Sequence, residues 1–121
     1  MKVFIADDAE VVRERLVNLL SEFDEIEIVG QAEDAREALE SISKLKPDVV
    51  ILDIRMPGGG GINALKAIKK NELAPIVIIL TNYPYSQYRK KCLEEGADYF
   101  FDKSSQFEKI TEVLKQLIKD F

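Results

Sequence analysis

Asp53 closes the apolar run Asp48-Val49-Val50-Ile51-Leu52, a pattern that reads as a buried strand delivering one carboxylate at its C-terminal end. A second run, Lys2-Val3-Phe4-Ile5-Ala6, delivers two more, Asp7 and Asp8. A third, Ile76 to Leu80, ends in the hydroxyl of Thr81, and the aromatic stretch Tyr99-Phe100-Phe101 runs through Asp102 into Lys103. Carboxylates held within a few ångströms repel one another, and without a cation the repulsion raises pKa values at a cost in stability. A divalent ion removes that conflict. Donors that are all oxygen, in a chain without histidine, favour Mg2+ or a similar hard ion that keeps several of its waters. Taken singly, Asp8 could cap a helix, Asp7 fill a turn and Asp53 end a strand. Their joint placement with Thr81 and Lys103 argues instead for one shared site.

The elements that must position these groups are legible from periodicity. Val12, Leu16, Leu19, Leu20 and Phe23 recur at three- and four-residue spacing, which predicts an amphipathic helix from about Glu10 to Phe23. A short strand follows at Glu27 to Gln31. Asp34, with Glu37 as reciprocal partner, caps the next helix, and Pro47 stops it before the Asp53 strand. Beyond the glycine run Gly58 to Gly61 lies a helix carrying Ile62, Leu65 and Ile68. These glycines lack the Gly-Lys-Ser/Thr ending of a nucleotide-binding loop and read as a mobile loop that lets backbone approach a metal. Pro75 opens the fourth strand, Ser86 begins a helix that Gly96 ends, and Ser105 with Glu108 forms a capping box for a last helix with the stripe Ile110, Val113, Leu114, Leu117 and Ile118.

Five strand-then-helix units with near-continuous Val/Ile/Leu strands imply an α/β fold whose parallel sheet is covered by helices on both faces. With right-handed crossovers the wiring is flavodoxin-like, (βα)5 with a five-stranded parallel sheet in the order 2-1-3-4-5. That order sets the first and third strands side by side, so Asp7, Asp8 and Asp53 meet where such sheets carry their functional crevice. Within Tyr99-Phe100-Phe101, alternation puts two rings on one face, and those two are expected in the core.

The 121 residues are read as a single domain spanning 1–121. With 46% hydrophobic and 32% charged residues, no apolar stretch of membrane-spanning length and aspartates directly after the first strand, the chain reads as cytoplasmic, without a membrane partner or signal-peptide core. A net charge of −5 argues against direct nucleic-acid binding, which depends on clustered Lys and Arg. Cys92 is the only cysteine and reads as a small packing residue.

Together the acidic pair Asp7-Asp8, the segment Leu52-Asp53-Ile54-Arg55-Met56-Pro57 with Gly61 after it, Thr81 and Lys103 resemble the receiver domain of bacterial two-component response regulators over essentially the whole chain. The resemblance implies that Asp53 accepts a phosphoryl group from a sensor histidine kinase or a histidine phosphotransfer protein. It implies Mg2+ held by Asp8 and Asp53, by the carbonyl of Arg55, and by Asp7 mainly through coordinated water. Lys103 would hold one phosphoryl oxygen and Thr81 another. Thr81 would be coupled to Phe100, and the surface of the fourth helix, fifth strand and fifth helix, with Tyr85 and Tyr88, would report the change to a downstream protein target. Whether phosphorylation also drives a homodimer is left open.

Two positions depart from the family pattern. Asn82 replaces a small residue, and a larger side chain there would slow water or a phosphatase; Lys103-Ser104 replaces Lys-Pro, and without proline we expect a trans bond. Val11, beside Asp8 and off the buried stripe of its helix, suits docking of a phosphodonor helix. On these readings the chain is not an enzyme beyond autophosphorylation and autodephosphorylation. An alternative is a constitutive, unphosphorylated interaction module, or pseudo-receiver, against which the complete residue set argues. A phosphohydrolase would need an acid where Arg55 stands, and a flavin carrier would not place acids in the first strand-to-helix turn.

Overall fold

The computed structural model describes residues 1–121. Five strands, β1 (Lys2–Ala6), β2 (Glu27–Ala32), β3 (Val49–Leu52), β4 (Ile76–Thr81) and β5 (Tyr99–Asp102), alternate with five helices. These are α1 (Glu10–Leu20), α2 (Ala35–Leu45), α3 (Gly61–Lys69), α4 (Ser86–Glu94) and α5 (Lys109–Asp120). Every strand pairing is parallel and the order is β2-β1-β3-β4-β5, the flavodoxin-like arrangement the sequence implies. No helix is long and apolar enough to cross a membrane.

β3 is apolar and buried at every position because each face of the sheet has its own cover. Val49 and Ile51 pack with Leu16, Leu20, Ile110 and Leu114, which places α1 and α5 on one face. Val50 and Leu52 pack with Ala38, Ile42, Leu65, Ile68 and Cys92, which places α2, α3 and α4 on the other. Fully burying a Val, Leu or Ile side chain is worth roughly 1.5–3 kcal/mol, so a polar residue in either alternating set would forfeit that contribution. Where the strands end, so does the two-sided cover, and polar groups appear at once: Asp7 after β1, Asp53 after β3, Thr81 as the last residue of β4 and Lys103 after β5.

Several local readings are corrected. α1 stops at Leu20, not near Phe23: the Ser21 hydroxyl donates to the Asn18 carbonyl, and successive turns carry the amide of Phe23 to Leu20 and that of Ile26 to Phe23. The apolar spacing continued into a turn that still half-buries Phe23, so periodicity overran the helix. At α2 the Asp34 carboxylate accepts from the Glu37 amide, and the helix ends on Lys46 in the left-handed region at φ 49°, one residue before Pro47. α5 begins at Lys109 and has no Ser105 capping box. Ser105 instead donates its hydroxyl to Asp102, whose carboxylate also accepts from the Ser104 amide and hydroxyl. The hydroxyl therefore donates to this carboxylate instead of accepting from a helix amide.

In β5 it is the single ring, Phe100, that is buried, while Tyr99 and Phe101 share the opposite face half-buried and stacked with centroids 6.1 Å apart. β5 is the edge strand of the sheet, and there the cluster with Phe107, Ile110 and Leu114 covers these two rings only in part. Every peptide bond is trans, including Lys103-Ser104.

Cys92 is fully buried on α4, and burial pushes its thiol up to about 11. Reaction requires the thiolate and access to it. A disulfide-exchange reagent at neutral pH should leave the native protein unlabelled and titrate one thiol after denaturation. Prompt labelling of the native state would mean that α4 does not pack as described.

Candidate functional site

The end of the sheet that carries Asp7, Asp53, Thr81 and Lys103 is built by parallel register. Ala6 lies opposite Leu52 and Thr81 opposite Asp102, so the residues that follow β1, β3 and β5 emerge side by side with the end of β4. Backbone hydrogen bonds continue the ladder one step further: the Asp53 amide donates to the Ala6 carbonyl and the Lys103 amide to that of Thr81.

At this end Asp7, Asp8 and Asp53 each offer a carboxylate oxygen, and the three oxygens lie within 4.8 Å of one another. Asp7 and Asp53 are buried, whereas Asp8 is exposed. The Lys103 ammonium, itself buried, bridges the first two, 2.6 Å from Asp7 Oδ2 and 3.0 Å from Asp53 Oδ2. Burial raises the Asp53 carboxyl above its ordinary value; Lys103 opposes that rise and the Asp7 charge adds to it. For Lys103 burial works against the charge, but the hydrogen bond to Asp7 and the charges of Asp53 and Asp7 outweigh it and raise the ammonium above the usual lysine value. The lysine is thus held charged between two acids.

The remaining oxygens have defined partners. Asp7 Oδ1 accepts from the Ala9 amide at 2.9 Å and so turns the chain into α1. The Asp8 side chain does not cap that helix, whose N-cap is Ala9 without a side-chain bond. The structural task that would have explained Asp8 is therefore done by its neighbour. Asp53 Oδ1 accepts from the Arg55 amide at 3.2 Å, and the fully buried Thr81 hydroxyl accepts from the Tyr83 amide at 3.0 Å. The donor set around Asp8 and Asp53 is oxygen throughout, concave and partly solvated, which fits a hard divalent ion that keeps several waters. An open cleft over it is lined by Asp8, Asp53, Arg55, Asn82, Tyr83 and Lys103.

Phe100 lies two residues back along β5 from the partner of Thr81, in the core under α4, with Arg89 of that helix above its ring and donating to its carbonyl. Val11 is exposed on α1 as its spacing implied.

Three contributions escaped the sequence reading. Arg13 donates to the Asp7 carbonyl at 2.6 Å, fixing the acid-bearing turn from one helical turn away; its only signal is its position on α1. Arg55 sets its guanidinium over the Tyr83 ring. Gly61 packs so tightly that an added Cβ would lie 2.0 Å from the Asp53 carbonyl oxygen and 2.5 Å from Ile54 Cα. Its amide donates to the Ile54 carbonyl at 3.0 Å. What reads in sequence as loose glycine is, at its last residue, the closest backbone approach in the site.

The family model of the response regulator receiver domain matches residues 3–115. The chain belongs to this family. Over 98% of its length it is 39% identical to a protein-glutamate methylesterase/protein-glutamine glutaminase of Carboxydothermus hydrogenoformans, of which it spans 35%. It is 33% identical to the transcriptional regulatory protein LnrK of Bacillus subtilis, with 94% of the chain and 52% of that protein aligned. Among solved structures, the isolated REC domain of RcsB from Salmonella enterica serovar Typhimurium superposes with a TM-score of 0.90 at 28% identity, covering 98% of this chain and 88% of that one. The chain thus spans roughly a third to a half of these two curated relatives, so the activities in their names belong to proteins with much additional sequence. The receiver family is the part they share with it.

The tight fit of Gly61 makes a sharp comparison within this receiver domain. Gly61→Ala should cost about 3 kcal/mol in chemical denaturation, because the methyl group displaces backbone on which Asp53 is mounted. Gly59→Ala meets no atom within 4 Å and bears only the strain of its φ of +106°, about 1–2 kcal/mol. A Gly61 variant no less stable than the Gly59 variant would show that α3 does not seat against the Asp53 carbonyl.

Proposed function

We propose that this receiver domain is an Mg2+-dependent phosphoacceptor switch in which Asp53 takes a phosphoryl group from a sensor histidine kinase or a histidine phosphotransfer protein. The observation that carries this reading is the convergence of three carboxylate oxygens with the buried Lys103 ammonium at the end of β1, β3 and β5. Asp8, Asp53 and the Arg55 carbonyl would hold the ion, with Asp7 acting mainly through its water. When bound, Mg2+ supplies positive charge that offsets the acids and the incoming phosphoryl oxygens.

The chain's own residues do the rest. The Asp53 carboxylate is the nucleophile, and its product is an acyl phosphate that water can cleave. Lys103 already touches Asp53 Oδ2, so its ammonium is in place to hold a phosphoryl oxygen while keeping Asp7 paired. Thr81 has its acceptor side engaged by the Tyr83 amide and its proton free to donate to another phosphoryl oxygen. A move of Thr81 toward the phosphate would draw the β4–α4 turn with it and give Phe100 room to follow. The exposed surface of α4, β5 and α5, which includes Tyr85, would then change its contacts with a downstream protein target. The domain spans 1–121 in this reading and acts in the cytoplasm without membrane or direct nucleic-acid contact. Its own chemistry is limited to acceptance and loss of the phosphoryl group. The REC domain of RcsB, solved with the phosphomimetic BeF3−, supports the reading by analogy.

Incubation with Mg2+ and acetyl phosphate should add the mass of one phosphoryl group to the protein and none to Asp53→Asn. An increment retained by Asp53→Asn would move the acceptor elsewhere. Mg2+ alone at a hundredfold its Kd should raise the unfolding free energy by about 2.7 kcal/mol. Asp8→Ala, a change at an exposed side chain, should abolish most of that gain; an equal gain in the variant would remove Asp8 from the ligand set.

A further inference from the structure

We propose that Arg13 is the positioning residue that aims the Asp8 carboxylate and thereby makes the acidic site select Mg2+ over the larger Ca2+. The proposal rests on the reading of Asp8 as an ion ligand given above. Asp8 has little support of its own: its side chain is exposed, the helix start at Ala9 does not use it as a cap, and the Lys103 ammonium bridges Asp7 and Asp53 instead. The direction in which its carboxylate points is therefore set by the backbone on either side of it.

Arg13 grips that backbone before and after Asp8. Its guanidinium donates to the Asp7 carbonyl at 2.6 Å, which fixes the peptide plane entering Asp8, and its own amide donates to the Ala9 carbonyl at 3.1 Å. Asp7 Oδ1 accepts from the Ala9 amide and fixes the plane leaving Asp8. The other polar groups of Asp7 are committed as well, the amide to the Ala32 carbonyl and Oδ2 to Lys103. Without the guanidinium the Asp7 carbonyl loses its side-chain partner, and the peptide that enters Asp8 is free to turn. A hydrogen bond from a charged donor is roughly twice as strong as one between neutral groups, so this single contact is a firm clamp.

An error in the aim of one ligand does not cost all ions alike. Mg2+ demands near-ideal octahedral geometry, whereas Ca2+ accepts a variable number of oxygens in flexible arrangements. The two ions carry the same charge, so the positive charge of Arg13 opposes both to the same extent, and the ratio of their affinities separates aim from charge. Arg15 supplies a matched control on the same helix. Its guanidinium carbon lies 3.7 Å from the Phe107 ring centroid, so its removal takes away an equal charge while the bond to the Asp7 carbonyl stays in place.

Calorimetric titration of the full chain with MgCl2 and, separately, with CaCl2 tests the proposal. Arg13→Met should raise the Kd for Mg2+ about tenfold, the low end of what loss of an orienting partner costs a metal site, and that for Ca2+ by less than about threefold. Arg13→Gln, a second variant with a helix-compatible side chain and no charge, should move the ratio in the same direction. Arg13→Lys keeps the charge and a donor and should bring the ratio back to within about twofold of the unsubstituted protein. Arg15→Met should leave the ratio unchanged. A loss of stability common to both titrations cancels in the ratio, so a merely structural role for Arg13 would not move it. A ratio unchanged in Arg13→Met and Arg13→Gln, a shift as large in Arg15→Met, or equal tightening of both ions in the Arg13 variants would overturn the proposal. An unsubstituted protein that binds neither ion would instead bring down the Mg2+ reading itself, and the proposal with it.

Discussion

Lys103 holds the site together. Two buried carboxylates facing one another at the end of a sheet are unstable neighbours, and the ammonium 2.6 Å from one and 3.0 Å from the other is what lets both remain there. The lysine does not neutralise the site. Three acids and one ammonium leave a local charge of minus two, with Asp8 on the solvent side of the group. The protein folds around a residual negative field, which is the field that the Mg2+ of the proposed reading would offset. On the proposed reading the same lysine later meets a phosphoryl oxygen, and its position beside both acids means that little has to be rearranged.

The loop that presents Lys103 shows how much structure that placement requires. Asp102 accepts from the Ser104 amide and hydroxyl and from the Ser105 hydroxyl, while its backbone exchanges hydrogen bonds with Gln106 at both the amide and the carbonyl. Those contacts, led by the Ser104 amide, hold the Asp102 carboxyl below its ordinary value. One carboxylate thus closes the turn beyond Lys103, and the helix that follows starts only at Lys109. Register in the sheet brings Lys103 to the right edge; the Asx-type turn fixes the direction of the chain beyond it.

Which parts of this were legible in the sequence follows from the range of the forces involved. Strand order and the meeting of Asp7, Asp8 and Asp53 depend on long apolar runs and on the few ways right-handed crossovers can be wired, and both are encoded redundantly over many residues. Local details that turn on a competition between two near-equal partners were not legible. The Ser105 hydroxyl had two roles open to it, accepting from a helix amide or donating to the Asp102 carboxylate, and spacing alone favoured the helix cap. Phe23 kept the period of α1 after the helix had ended. For β5 alternation correctly separated Phe100 from Tyr99 and Phe101, but which face was deeper depended on the helices above each one. The tightness of Gly61 was also hidden, because a glycine chosen for lack of a side chain and one chosen for positive φ look alike in a run of four.

Gly58, Gly59 and Gly60 all have positive φ, whereas Gly61 is required by contact, so the run divides into a bend and an anchor. The anchor fixes the carbonyls of Asp53 and Ile54 against the start of α3, while the bend leaves Arg55 on the open side of the loop. Backbone that carries the acid is therefore rigidly backed, and the side chain two residues later is free to reach Tyr83 on the neighbouring loop. Arg55 is held at the rim by a surface contact to an aromatic ring, whereas Asp53 is backed by close-packed main chain. Rigidity under Asp53 and adjustability around it come from the same short segment, and only the first of them is imposed by packing.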